Sequence, residues 1–250
     1  MLDYPHKVHW PRAEERLERI RNRRMKTIEG KLNEGAKVGY VLDLAIDAFW
    51  EGQAVAWGMQ DLDALDVFLE RNDAVHRLVL EQFSQEELWA NSDLSIFLAS
   101  STLTDPELLV EYAKAYVGKP HVDRENRTSS PVTHHFLDAY VALILGDDAR
   151  AKTATEHAQT ALNQPSHPPT SSTQHTIDLI NATLNRDQQQ LDISAQALID
   201  AHAKFSAPTA NRHALPTALI EPRLILLNRI NKPRGLTIPP NPYTLTHNQP

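Results

Sequence analysis

Apolar side chains recur every three to four residues along most of the chain, the spacing that places them on one face of an α-helix. Such stripes predict helices over residues 11–34, 38–59, 61–83 and 85–101. In the third of these, the predicted buried side consists of Leu62, Leu65, Phe68, Leu69, Val75, Leu78 and Val79. The first hundred residues are therefore predicted to be helical.

The clearest helix start in the sequence is Thr-Asp-Pro-Glu at residues 104–107. It combines side chains that cap a helix, a proline in the first turn and a glutamate at the position that closes a capping box. A helix is predicted from there to about Val117, because Gly118 and Pro120 follow and both residue types end helices.

Two predicted helical hairpins follow, and they resemble each other. Helices are predicted over 131–145 and 147–162, then over 173–185 and 187–205, with a proline-rich break at 165–169. The hairpins match at an offset of 40 residues, pairing His135 with His175, Asp138 with Asp178, Asp147 with Asp187, Ala158 with Leu198 and Leu162 with His202. This predicts a duplicated hairpin of solenoid or tetratricopeptide type, although the period exceeds the 34 residues of the latter.

The end of the chain changes character. A last helix is predicted over 214–231, and Pro222 should either kink it or begin it anew. Residues 232–250 are rich in proline and are predicted to form an extended arm, either packed through Ile238 and Tyr243 or frayed.

These elements predict an all-α fold, a multi-helix array of antiparallel helical hairpins that is partly repeat-like. We expect a single all-helical domain over residues 1–250, which the break near 164–172 could subdivide. The composition agrees, since only 8 Gly are present and helix-forming residues are plentiful. Trp50 and Trp57 lie in apolar sequence and are predicted to belong to the core.

The absence of cysteine limits the available chemistry. With no Cys in the sequence, disulfides, thiolate nucleophiles and cysteine zinc sites are excluded. The first residues lack an apolar leader, and no stretch approaches the roughly 18 uninterrupted apolar residues of a membrane span. We therefore expect a cytoplasmic protein that does not bind membranes.

Charge is unevenly distributed along the chain. The net charge is −7, but residues 38–125 hold 17 acidic and 5 basic residues, a net charge of −12, whereas the flanking segments carry +4 and +1. A field of negative sign repels nucleic acid and attracts basic proteins. We therefore expect no nucleic-acid partner for this block.

Within that block, carboxylates recur along one predicted helix with few basic residues nearby in sequence. Asp66, Glu70 and Asp73 have the i, i+4, i+7 spacing of one helix face. An ordinary solvated face is the commoner reason for such a run, and a docking surface for a basic protein is the alternative. The candidate docking surface comprises Asp61, Asp63, Asp66, Glu70, Asp73, Glu86, Glu87 and Trp89.

Catalytic and metal-binding patterns are sparse. Three helix-spaced pairs could each share a face, namely Asp73 with His76, His135 with Asp138, and His175 with Asp178. The Glu-x-x-His pattern of bundle metal sites is missing, as are phosphate-binding loops, Gly-x-Ser-x-Gly elbows and His-Glu-x-x-His motifs. We expect no metal, no cofactor and no catalytic residue, and an enzyme with a buried histidine and carboxylate is the third-ranked alternative.

The second half of the chain resembles a known family. Arg-Gly-Leu-Thr-Ile at 234–238, followed by Pro-Tyr at 242–243, resembles the ending of bacterial immunity 49 family proteins. Residues 136–151, with Leu-Gly-Asp-Asp at 145–148 between two helices, are similar to the middle of that family. The proline that usually follows soon after the final tyrosine is replaced here by Thr-Leu-Thr at 244–246.

Members of that family are all-helical and neutralise cognate toxins of polymorphic toxin systems. The resemblance therefore implies an immunity protein that occludes a cognate toxin stoichiometrically. Because no export signal is present, we expect the toxin to act in the cytoplasm, and we expect the protein to be a monomer or homodimer. It supplies no toxin-contacting residues, so the candidate surface rests on charge, which favours a basic toxin. The alternative is a helical-repeat scaffold that binds a peptide or partner protein between its hairpins.

Overall fold

The structure, a computed structural model, describes residues 25–37, 51–82, 100–116, 131–163, 171–210 and 220–245, together with Glu15, Glu18, Arg19, Ile20, Asn22, Tyr40 and Val41. These residues form α-helices and short 3₁₀ turns without a strand, which confirms the all-α prediction. The helices in these ranges are α1 (Met25–Asn33), α2 (Glu51–Met59), α3 (Leu62–Gln82), α4 (Pro106–Tyr116), α5 (Pro131–Ile144), α6 (Asp148–Leu162), α7 (Ser171–Asn185), α8 (Gln188–Ala210) and α9 (Pro222–Asn231). The predicted helix over 85–101 lies outside them, except for a 3₁₀ turn at Ser100–Thr102.

Helices α2 and α3 pack against each other across a two-residue connection. Gln60 adopts a left-handed conformation with φ 59°, and Asp61 caps α3 by accepting a hydrogen bond from the backbone N–H of Ala64 at 3.0 Å. Gly52 lies so close to Phe68 that a Cβ atom there would come within 2.6 Å of the ring. A side chain at position 52 would therefore push the two helices apart.

The buried side of α3 differs from its prediction at two positions. Leu62 and Leu78 are 38% and 37% exposed, whereas the other five apolar residues predicted with them are buried. Leu62 is the first residue of the helix, and Leu78 lies on an outward stripe beside Ala74 and Arg77, which are also exposed. Helical periodicity alone does not fix the edge of a buried face, because the width of that face depends on what packs over it.

Helices α5 and α6 form one antiparallel pair, α7 and α8 another, and α6 packs on α7. The two hairpins begin their second helix in the same way. The Asp147 side chain accepts a hydrogen bond from the Arg150 backbone N–H, and the Asp187 side chain accepts one from Gln190, each at 3.0 Å. The turns therefore match at the 40-residue offset, and a solenoid arrangement of the hairpins stays a prediction.

The last helix begins at Pro222, with Glu221 as its N-cap. After the 3₁₀ turn Lys232–Arg234, residues 236–245 continue without helix and pack against the rest of the molecule. Tyr243 is 1% exposed, and the indole Nε1 of Trp57 donates a hydrogen bond to the Pro242 carbonyl oxygen at 2.9 Å. The C-terminal segment is thus held against α2, far away in sequence.

Buried apolar side chains form one continuous cluster to which α1 to α9 all contribute. Its largest fully buried members include Phe68, Tyr112, Tyr140 and Tyr243. Within the described ranges, no helix has both the length and the apolar character needed to cross a membrane.

Candidate functional site

Among the described residues of the predicted acidic surface, the exposed ones lie on α3. Asp63 and Glu70 are exposed, whereas Asp61 and Asp66 are half-buried. Asp61 also has a structural task, because it caps the helix. The three remaining positions beyond α3 lie outside the described residues, namely Glu86, Glu87 and Trp89.

Asp73 does not belong to the exposed acidic surface. It is only 8% exposed, and its carboxylate accepts hydrogen bonds from the backbone N–H groups of Thr104 at 2.9 Å and Asp105 at 3.2 Å, as well as from the Thr104 hydroxyl. Asp66, Glu70 and Asp73 lie on one side of α3, as their spacing predicts, but the segment before α4 packs over Asp73. Asp73 therefore anchors that segment instead of facing a partner.

The start of α4 also differs from the predicted capping box. Asp105 is the capping residue, since its side chain accepts hydrogen bonds from the backbone N–H groups of Glu107 at 2.9 Å and Leu108 at 3.4 Å. The Thr104 hydroxyl points to Asp73 instead. Asp105 also pairs with Arg77 of α3, which fastens the two helices together.

We define the α3 stripe as Leu62, Asp63, Asp66, Glu70, Leu78 and Glu81. All six are exposed except Asp66, which is half-buried. Helix α3 holds five acidic and two basic residues, and one of the basic residues, Arg77, is already paired with Asp105. The stripe therefore combines negative charge with two partly exposed leucines, one near each end of α3.

A buried polar network that the sequence did not predict lies between α7, α8 and α9. The Glu221 carboxylate receives hydrogen bonds from Arg223 Nε at 2.7 Å and Nη2 at 2.6 Å, a bidentate pair. His202 Nδ1 of α8 lies 3.2 Å from Glu221 Oε2, and Arg223 Nη1 donates to the Thr176 hydroxyl of α7 at 3.1 Å. We call these four residues the Glu221 network.

Electrostatics favours a charged carboxylate in this network. Burial alone would raise the pKa of Glu221, but the charge and hydrogen bonds of Arg223, together with His202, hold that pKa well below its ordinary value. The nearby Tyr140 hydroxyl is buried without a hydrogen-bond partner in the described structure, and burial raises its pKa, so the phenol stays neutral. A carboxylate held by two guanidinium hydrogen bonds is a poor general base.

The network has the buried histidine and carboxylate that an enzyme would need, but its geometry is that of a structural clamp. A local signal exists in the sequence, because Glu221 followed by Pro222 is a good helix start. The partners His202 and Thr176 are 19 and 45 residues away from Glu221. Sequence spacing therefore gave no indication that these residues meet.

Acidification should destabilise the protein through Glu221. Its folded-state pKa lies below the ordinary value of 4.5, so its stabilising contribution is complete above about pH 4.5 and is lost as the pH falls further. Urea unfolding at pH 5.5, 4 and 3 should show a steeper loss for the parent than for Glu221→Gln, which has no charge to lose. Parallel pH profiles for the two proteins would contradict this assignment.

Side chains that could bind a metal do not converge in the described part of the chain, where no group of three or more histidines or carboxylates comes together. Asp73 is engaged with the segment before α4, and His76 is buried with Nδ1 2.8 Å from the Asn72 carbonyl oxygen. Burial lowers the pKa of His76, which favours the neutral ring. The Asp138 carboxylate lies 3.7 Å from the Arg150 guanidinium, so it faces a cation.

Fold and site together define an all-α protein with two polar features, the acidic α3 stripe on the outside and the Glu221 network in the interior. No family model, curated protein or solved structure matches the chain. The resemblance to the immunity 49 family therefore stays a prediction.

Proposed function

We propose that this chain is an immunity protein that binds a cognate toxin domain and neutralises it by stoichiometric occlusion, with the α3 stripe as the docking surface. The observation that carries the proposal is the outward position of Asp63, Glu70 and Glu81 on a helix whose ends expose Leu62 and Leu78. The family resemblance of the C-terminal half supports the same function.

The physical chemistry of the stripe favours a basic partner. Opposite charge accelerates association and fixes orientation, whereas exposed apolar side chains supply affinity once water is expelled. Occlusion needs no catalytic group, so the proposal includes neither enzyme activity nor a cofactor. We further propose that the toxin acts in the cytoplasm, where a nuclease with a basic substrate cleft would be a natural target.

Co-expression tests this function directly. The protein encoded immediately upstream should be toxic when expressed alone, and the present chain should restore growth and co-purify with it in a fixed ratio. Absence of both protection and a complex would refute the immunity function.

Charge reversal tests the docking surface. Replacing Asp63 and Glu70 with lysine should leave folding intact, because exposed substitutions usually change stability by only about 0.5 kcal/mol. The association rate for the toxin should fall, and the remaining affinity should depend less on salt. The matched control reverses two exposed carboxylates on other helices, Glu156 and Asp192, which gives the same change in net charge. Equal binding by the two double variants would place the interface elsewhere.

A helical-repeat scaffold is the second candidate, because the turns of the two hairpins match at Asp147 and Asp187. A scaffold would bind a peptide against the two hairpins, so exposed residues of α5 to α8 would determine its binding. Loss of partner binding in the Glu156 and Asp192 variant, with full binding by the α3 variant, would favour the scaffold.

A further inference from the structure

A cavity of about 470 Å³ opens between the start of α4, the turn joining α5 to α6 and the end of α9. Its volume falls in the range of small-molecule sites. Most of its wall is apolar and includes Leu109, Val110, Leu143, Ile144, Leu145 and Ile230. The charged residues of the wall are three arginines and one aspartate, so the cavity joins an apolar surface to a surplus of positive charge.

Arg234 and Asp148 neutralise each other within this wall. Arg234 Nη2 lies 2.9 Å from Asp148 Oδ1 and donates a second hydrogen bond to the Leu143 carbonyl oxygen at 3.1 Å. Its Nη1 donates to the Ile230 carbonyl oxygen at 2.8 Å. The positive charge that remains available to a ligand therefore comes from the other two arginines.

Arg229 is a largely buried cation that pairs with carbonyl groups. Its Nη1 donates hydrogen bonds to the carbonyl oxygens of Ser101, at 3.1 Å, and Leu103. Its Nη2 is buried without a hydrogen-bond partner in the structure as described, and no described carboxylate lies at ion-pair distance from it. Burial lowers the pKa of Arg229 to about 10, against the opposing effect of Asp73 and Asp105, so the side chain stays charged at neutral pH.

Arg186 supplies an independent observation. It has a left-handed backbone with φ 53°, whereas the matching turn of the other hairpin has Gly146 with φ 75°, and both residues line the cavity. L-residues with a Cβ atom are strained in this region, where glycine and asparagine fit more easily. The described structure shows no ion pair that would account for an arginine at this strained position.

We propose that this cavity binds a small molecule in which a carboxylate is joined to an apolar body. The carboxylate pairs with the exposed Arg186 side chain, and the charge of the largely buried Arg229 adds attraction. The apolar body packs against the leucine and isoleucine side chains of α4, α5 and α9. None of these residues belongs to the α3 stripe, so the site is separate from the proposed toxin-docking surface. Whether or not the cavity binds such a molecule, the proposed immunity function is unaffected.

Isothermal titration calorimetry with the full chain tests the site, and decanoate below its micelle concentration is the probe. Acetate supplies the carboxylate without the apolar body, and decyltrimethylammonium supplies the apolar body with a cation. The proposal expects saturable binding of decanoate at a ratio near one and much weaker binding of the other two compounds. Failure to bind decanoate would refute it, as would equal binding of the cationic compound.

Substitution at position 186 separates charge from fold. Arg186→Asn should weaken decanoate binding about ten-fold, the effect of losing one charge-assisted hydrogen bond, while the melting temperature stays the same or rises because asparagine tolerates the left-handed turn. Arg186→Lys should retain most of the affinity. Lys152→Asn, an exposed change on α6 outside the cavity wall, is the control and should bind like the parent. Unchanged affinity of the Arg186→Asn variant would overturn the assignment.

Discussion

Replacing Glu221 with alanine should lower the free energy of unfolding by about 3 to 5 kcal/mol, the usual effect of removing one partner from a buried ion pair. The variant leaves the partly buried Arg223 guanidinium without the carboxylate that now accepts its hydrogen bonds at 2.6 and 2.7 Å. It also removes the side-chain cap of α9, because Glu221 Oε1 accepts a hydrogen bond from the Arg223 backbone N–H at 3.1 Å. Urea unfolding followed by circular dichroism measures the loss.

The control for this experiment is Glu156→Ala, since Glu156 is an exposed glutamate on α6. Its effect should stay near 0.5 kcal/mol or below. If Glu221→Ala lowered the free energy of unfolding no more than Glu156→Ala does, the Glu221 network would not hold α9 in place.

A double variant distinguishes pairing from packing. Replacing Glu221 and Arg223 together with leucine and methionine removes both charges, so no cation remains buried alone. The loss should be clearly smaller than the sum of the losses measured for Glu221→Leu and Arg223→Met alone, because apolar residues often replace a buried ion pair at little net cost. Additive losses would indicate that each side chain stabilises the protein through separate contacts.

Much of the fold could be predicted because its determinants are local in sequence. The helices predicted over 131–145 and 147–162 are observed as Pro131–Ile144 and Asp148–Leu162. Their periodicity, the glycine between them and the capping aspartate all lie within a few residues of the elements that they define. The same holds at Pro222, where a proline in the first turn begins the helix.

The positions that could not be predicted depend on contacts between distant segments. Asp73 has the spacing of an exposed carboxylate, but residues about 30 positions later in the chain cover it. Leu78 has the spacing of a buried residue and remains on the outside. Helical periodicity ranks the faces of a helix, whereas the neighbouring segments decide how far burial extends around it.

The candidate site divides in the same way. Asp63 and Glu70 could be predicted, because charge and spacing along one helix suffice to place them outward. The Glu221 network and the Arg186 and Arg229 pair of the cavity could not be predicted, since each combines residues from separate helices. Arg186 gave one local signal, its alignment with Gly146 at the 40-residue offset, but only the backbone angle shows its meaning.

Trp57→Ala should also destabilise the protein by about 3 to 5 kcal/mol, through lost burial and the cavity that remains. Trp57 is 7% exposed, and its indole Nε1 donates to the Pro242 carbonyl oxygen at 2.9 Å across 185 residues of sequence. The variant therefore loses both its own packing on α2 and a contact that holds the C-terminal segment. Trp50, the other tryptophan of the predicted core, lies outside the described residues.

Trp57→Phe separates these two contributions, because it keeps an aromatic ring and removes only the indole donor. Its loss should be smaller, since a net hydrogen bond is worth about 1 kcal/mol and phenylalanine fills most of the space. Limited proteolysis should cut within residues 236–245 faster in both variants than in the parent, because the Pro242 carbonyl loses its partner in each. An unchanged melting temperature for Trp57→Ala would mean that the indole contributes nothing to the core and that other contacts hold the C-terminal segment, such as the hydrogen bond from the Glu221 backbone N–H to the Tyr243 carbonyl oxygen at 2.9 Å.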